Sequence, residues 1–297
     1  MTFQTAASLL PMALPALLLI VACCSASSFR WLIAAGLNTL GLIAETASAA
    51  LVLVADFPLP WQHSELVSTA PVSHLIAVLI AFLGLIIANF SSNYVAGEPQ
   101  EARYAAMLHI TLAAVAFTVL SNHLLMLIGG WVAISLGLHQ LLLFYPERPR
   151  AALAAHKKFL LARTAELALL AAALILYDIN GTWLISEIVA AYGDGPLRTA
   201  EQIAALLLAA AALIKCAQLP MHGWLIQVVE APTPVSALLH AGIINLGGYL
   251  MILFAPLLSQ AAPAQWLLLV VAGLTTVLAS LIMTTRISIK VKLAWST

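Results

Sequence analysis

The sequence predicts an all-α polytopic membrane protein, and three observations carry that prediction. Of 297 residues, 63% are hydrophobic and 8% are charged, against roughly 45–50% and 25% in an ordinary soluble domain. Apolar runs recur from near Thr5 almost to the end, each reaching the ~20 residues needed to cross a hydrocarbon core of about 30 Å. The cationic residues collect between alternate runs, as the positive-inside rule requires of a multi-pass chain. No stretch is polar enough to form a soluble domain, so residues 1–297 read as one transmembrane domain.

In chain order, hydropathy places spans near 5–25, 31–55, 72–95, 104–120, 122–145, 159–177, 200–218, 234–256 and 264–284. The first could pass for a signal peptide, because Leu14 to Ala26 is apolar and rich in small residues. No Lys or Arg precedes Arg30, however, so it reads as a retained helix. Arg30, Arg103, Arg148, Arg150, Lys157, Lys158, Arg286, Lys290 and Lys292 fall on one side, Arg163 lies just inside the helix leaving it, and Arg198 falls opposite. The basic side is expected to be cytoplasmic, which puts the N-terminus and residues 62–69 outside the cell membrane. The segment Leu141 to Lys158 then becomes the expected cytoplasmic docking surface for a partner.

Formal net charge is zero, so nothing suggests nucleic-acid binding. Cys23, Cys24 and Cys216 are too few and too badly spaced for a disulfide or zinc framework. Eight histidines invite a metal reading. His63 and His123 fall on the outer side, His156 on the cytoplasmic side, and His74, His109, His139, His222 and His240 are scattered singly over five segments, with no H-x-x-x-H or C-x-x-C spacing. No metal site is expected.

One helix is expected to break. Gln218-Leu219-Pro220-Met221-His222-Gly223 places a proline in an apolar run, which removes a backbone donor and clashes with the preceding turn. His222 to Glu230 is too short to span, and it ends at Ala231-Pro232-Thr233-Pro234. There Thr233 can N-cap the next helix and Pro234 can fill its first turn. Breaks of this kind survive in membranes where protein or a wet cavity satisfies the freed backbone groups, and in transporters they mark binding or conduction sites.

A charge at the centre of a span costs about 3 kcal/mol on insertion scales, so intramembrane charges are where function is sought. Lys215 sits beside the break. It is either a lysine snorkelling to the interface or, as we prefer, a buried lysine whose charge switches as a carboxylate moves nearer or farther. Glu166 follows Arg163 by three residues, so the two share a helix face, as a static ion pair or as the mobile carboxylate. Glu45 lies deep in the second span with no neighbour in sequence, and is either polar packing or part of a path. His240 lies about 9 Å into the helix that starts at Pro234, where an imidazole can relay protons or simply hold a hydrogen bond. His222, Glu230 and His139 complete the candidate path.

The run from Lys215 through Pro220-Met221-His222-Gly223-Trp224 and Ala231-Pro232-Thr233-Pro234 to His240 closely resembles the broken-helix motif of the antiporter-like subunits of respiratory complex I and Mrp antiporters. Lys158 to Glu166 is similar to that family's sixth-helix entrance, and Ile289 to Thr297 to the start of its tenth helix; the likeness runs from about Ala105 onward. Within the superfamily, His240 to Tyr249, Leu138 to Pro149 and His156-Lys157-Lys158 are most like the DabB family, the membrane subunits of DAB inorganic carbon pumps. The resemblance implies an antiporter-like helix bundle in a bacterial inner membrane. It makes Lys215 the broken-helix lysine, His240 the relay histidine, and Arg163 and Glu166 the charged pair facing them, moving H+ or Na+. It further implies a soluble cytoplasmic partner of the DabA type, similar to a zinc β-carbonic anhydrase; zinc and catalysis are expected there, with no cofactor in this chain. The alternative is a proton-pumping subunit of NADH:quinone oxidoreductase or an Mrp antiporter. The sequence departs from complex I subunits at Trp131, which is followed by Val132 and Ala133 rather than the expected glutamate, leaving Glu166 as substitute. The family repeats a five-helix unit in inverted orientation, and here the second unit is only begun.

Overall fold

Backbone N–H and C=O groups find no water in hydrocarbon, so a chain this apolar satisfies them within helices. The structure, a computed structural model, describes residues 10–54, 65–145, 147–193, 195–228 and 231–297, and these are helical almost throughout. Among the described residues seven helices are long and apolar enough to cross a membrane. The first and seventh expected spans are shorter: Leu10–Ala26 is a short apolar helix, and Thr199–Lys215 has 17 residues. Among the described residues the only extended pairing is a bridge between Val67 and Ser121. The chain divides into two compact units at Phe144 and Tyr145.

The first unit contains α1 (Ala13–Cys23), α2 (Arg30–Val54), α3 (Pro71–Tyr94), α4 (Glu101–Leu120) and α5 (Leu124–Leu142). α4 is its centre and packs on α1, α3 and α5. Its buried Ala105, Leu108, Leu112, Ala116 and Val119 recur every three or four residues, the spacing of one helix face. Gly130 and Gly137 of α5 press against Thr118 and Thr111 of α4 so closely that an added Cβ would overlap their hydroxyls. Close seating of this kind replaces the hydrophobic effect as the adhesive between helices in lipid.

The second unit contains α6 (Pro149–Asn180), α7 (Ile185–Ala190), α8 (Thr199–Lys215), α9 (Gly223–Gln227), α10 (Thr233–Leu253), α11 (Ala262–Thr285) and α12 (Ile289–Ser296). α6 differs from the expected 159–177 span. It starts at Pro149 and runs 32 residues, or about 48 Å at 1.5 Å per residue, which exceeds a hydrocarbon core. Pro149 is pre-organised for a first turn and Ala151 to Ala155 continue it, so Arg150, Lys157 and Lys158 are helical rather than in a loop. α6 ends where Gly181 adopts φ 69°, the left-handed conformation that costs glycine little.

Alanine governs how this unit packs. α6 buries Ala151, Ala154, Ala155, Ala162, Ala165, Ala172 and Ala173, α8 buries Ala204, Ala205, Ala209, Ala211 and Ala212, and the two helices pack on each other. Two faces lined with small side chains bring the backbones close. α8 also meets α10 and α11. Of α11, only Ala264 is buried, while Trp266, Leu269, Leu274, Val277 and Leu281 point outward.

Candidate functional site

The helix break forms as its proline requires. α8 stops at Lys215, turns carry residues 216–222, and α9 resumes at Gly223. Ala217 makes the corner with φ 50°. The break frees backbone donors, and the protein answers for them. Leu219 N–H donates to Thr275 Oγ1 of α11 at 3.1 Å, Gln218 N–H to Leu213 O at 3.1 Å and Met221 N–H to Gln218 O at 2.7 Å. The re-entry at α10 differs by one position from the expected cap. Thr233 is already helical and Pro232 holds the cap position without a side-chain hydrogen bond. Pro234 stands in the first turn, where its fixed φ favours helix initiation.

Lys215 occupies the last turn of α8 with 8% of its surface exposed, and Glu166 of α6 is 6% exposed. The two interact electrostatically. Arg163 Nη2 lies 2.9 Å from both oxygens of Glu166, and its guanidinium sits 4.9 Å above the Phe159 ring. A fourth charge joins them. Lys158, read from sequence as a cytoplasmic cation, is 5% exposed and feels Lys215, Glu166 and Arg163. The cluster therefore sets three cationic side chains around one carboxylate, on two helices beside a backbone break. In so small a low-dielectric volume, loss or gain of a proton at one lysine alters the free energy of charging the other.

The remaining candidates fall elsewhere. His240 lies in a π-helical turn, Leu239–Ile243, half-buried, with Nδ1 2.8 Å from Thr297 Oγ1. His222 rests against Trp295, ring centroids 5.2 Å apart. Both histidines thus face α12 rather than the lysine cluster. Between the break, α11 and α12 lies a cavity of about 230 Å³ lined by Gln218, His222, Thr275, Ser280, Trp295 and Thr297 among others. Pro220 is in the turn, and Glu230 and His63 lie outside the described residues. His139 is in the last turn of α5. Glu45, which has no partner nearby in sequence, is fully buried in the first unit with Oε1 3.0 Å from His74 Nδ1. No three of His, Cys, Asp and Glu among the described residues come together as a metal site.

Two features escaped the sequence. Lys158 carried a signal, since it lies in register with Ala155, Ala162, Ala165 and Glu166, the buried stripe of α6. The Glu45–His74 pair joins residues 29 apart on different helices and carried none.

Residues 121–297 match the transmembrane family described as NADH:quinone oxidoreductase/Mrp antiporter, which is more than half of the chain. The chain belongs to that antiporter family. It is 52% identical over 274 residues to a probable inorganic carbon transporter subunit DabB of Hydrogenovibrio crunogenus, covering 90% of this chain and 52% of that protein. It is 41% identical to DabB2 of Halothiobacillus neapolitanus over 75% of this chain and 41% of that protein. Against NADH-quinone oxidoreductase subunit L of Escherichia coli it is 32% identical, over 74% of this chain and 36% of that protein. The chain thus spans about half the length, or less, of these antiporter-family relatives. Among solved structures, the Mrp complex from Dietzia aligns with a TM-score of 0.78 at 25% identity, over 97% of this chain and 32% of that one. The archaeal membrane-bound sulfane sulfur reductase aligns with a TM-score of 0.83 at 18% identity, over 98% of this chain and 62% of that one, a likeness of fold.

Proposed function

We propose that this chain belongs to the cation-translocating membrane subunit of an energy-coupled inorganic carbon transporter, moving H+ or Na+ so that CO2 or bicarbonate accumulates. The observation that carries the proposal is the cluster of buried Lys158, Glu166 and Lys215 with partly exposed Arg163 at a braced helix break. Charges held in hydrocarbon are costly and mark ion pathways. In our reading Glu166 alternates between Arg163 and Lys215, and each alternation changes the charge the lysines hold, passing a cation onward. His222 lines the cavity beside α12 and His240 bonds Thr297 at its edge, and in our reading the cation passes from the cluster to that cavity.

The cargo follows from likeness. Identity of 52% with a DabB protein, against 32% with subunit L, favours the carbon transporter over a proton-pumping subunit of NADH:quinone oxidoreductase or an Mrp antiporter. The chemistry on carbon then belongs to a soluble zinc subunit of the DabA type docked on the cytoplasmic face. The membrane is the bacterial inner membrane, with the N-terminus outside. Purifying the intact assembly from membranes and identifying its other subunit tests the assignment. A zinc-containing hydratase is expected; NADH- or quinone-reactive subunits would overturn it in favour of the respiratory reading.

A further inference from the structure

The first unit holds a carboxyl–imidazole pair that the lysine cluster does not use. On α2 the buried positions are Ala34, Asn38, Gly41, Glu45, Ser48 and Ala49, one helix face, and two of them carry polar groups that reach other helices. Asn38 Nδ2 lies 3.3 Å from His109 Nε2 of α4, and Glu45 Oε1 lies 3.0 Å from His74 Nδ1 of α3. Glu45 and His74 are both fully buried.

The hydrogen bonds fix where protons can be. His74 Nε2 is 2.9 Å from the carbonyl oxygen of Ser68, and a carbonyl only accepts, so Nε2 carries a hydrogen. That carbonyl is held in place, because Ser68 N–H donates to Leu120 O at 2.8 Å and its hydroxyl is 3.0 Å from Ser73 Oγ. With Nε2 committed, a bond at 3.0 Å between Nδ1 and Oε1 requires a hydrogen between two atoms that are otherwise both acceptors. The pair therefore holds one proton, on the carboxyl or on the imidazole, and both placements have the same net charge. Moving it between Oε1 and Nδ1 breaks one O–H or N–H bond and forms the other, with no other group needed.

The second oxygen, Oε2, is buried and has no hydrogen-bond partner among the described residues. Most buried side-chain polar atoms are hydrogen-bonded, and this unpartnered oxygen is the position left for a proton to arrive or leave. Asn38 Oδ1 is likewise buried and unpartnered among the described residues, two turns or about 10 Å along the same face. Among the described residues the other titratable groups facing this side of α2 are His109 on α4, whose Nδ1 is 2.8 Å from Ala105 O, and the Arg30–Glu101 pair at the start of α2, 2.8 Å apart. α1 presents none along its buried face, Leu14 to Ala22.

We propose that Glu45 and His74 form a second proton-exchange centre, built wholly within the first unit. The pair takes or releases its proton through Glu45 Oε2, and His74 holds the alternative position.

The test uses the assembled transporter in lipid. Glu45→Gln preserves shape and can still donate an N–H to His74 Nδ1, but it cannot exchange a proton. Cation flux is expected to fall by about 100-fold at matched membrane level, the low end for loss of a positioned proton-transfer group, while Glu45→Asp retains flux. In infrared spectra of the unaltered protein, a carboxyl carbonyl stretch is expected to change with pH and to vanish in Glu45→Gln. Undiminished flux in Glu45→Gln overturns the proposal, as does the absence of such a titrating band. If Glu45→Gln does not accumulate, Glu45→Asp must shift the band, and an unshifted band overturns the proposal equally. The spectral reading is independent of which ion or carbon species the transporter carries.

Discussion

At the scale of single residues, the cluster's behaviour rests on how few neighbours share its charge. Arg163 is partly exposed and Glu166 is buried, so Arg163→Ala leaves the carboxylate without its bidentate partner and should cost about 3 kcal/mol. The thermal stability of the purified protein checks this. Lys158 is the sharper case. A lysine at the edge of a membrane tolerates Lys158→Met, whereas one that shares protons with Lys215 does not. We expect the variant to accumulate normally and to lose about 100-fold in cation flux; unchanged flux would return Lys158 to the role of a topology-setting cation. Sequence pattern pointed to Lys215, Glu166 and Arg163, because a charge beside a proline or another charge is conspicuous in an apolar run. Lys158 stood among other cations that looked like a loop. Its burial follows from its register with the buried stripe of α6, a register set by the continuation of α6 upstream through residues whose hydropathy did not demand a helix.

At the scale of elements, the break is held by bonds within its own turns and by one from a neighbouring helix. Thr275 of α11 accepts the Leu219 N–H, and Thr275→Val should leave that donor unsatisfied, costing about 1–3 kcal/mol. The melting temperature in lipid nanodiscs reads the loss directly. Gly247 of α10 makes the neighbouring contact, for a Cβ there would stand 2.5 Å from both Ala212 O and Cys216 Sγ. Gly247→Ala should therefore push α10 from α8 and destabilise by about 1–3 kcal/mol, with a matched change at Gly248, which has open space, as the harmless comparison. Hydropathy and proline placement made the break legible in the sequence. Which helix would brace it was not legible, because Thr275 is one of several hydroxyls on α11 whose side chains otherwise bond their own helix, as Thr276 does to Ala272 O. The cap at Thr233 was misplaced by one residue for a related reason: two prolines fix the backbone there without help from a hydroxyl.

At the scale of the whole molecule, the apolar composition announced a multi-pass helical protein, and the run from Lys215 to His240 announced its family. What composition could not convey is that polar side chains on separate helices would meet, as Glu45 meets His74. Orientation is open to a direct check. A cysteine at Arg150 should label only from the cytoplasmic side and one at Glu65 only from outside; the reverse pattern would invert the topology. The central claim is that Lys215 moves charge through the membrane. Lys215→Met, assembled with its partner subunit and measured for cation-dependent carbon uptake at matched membrane level, tests it most directly. Uptake should fall to background while the assembly remains intact, and uptake at the unaltered rate would show that the lysine is structural and the proposed path is wrong.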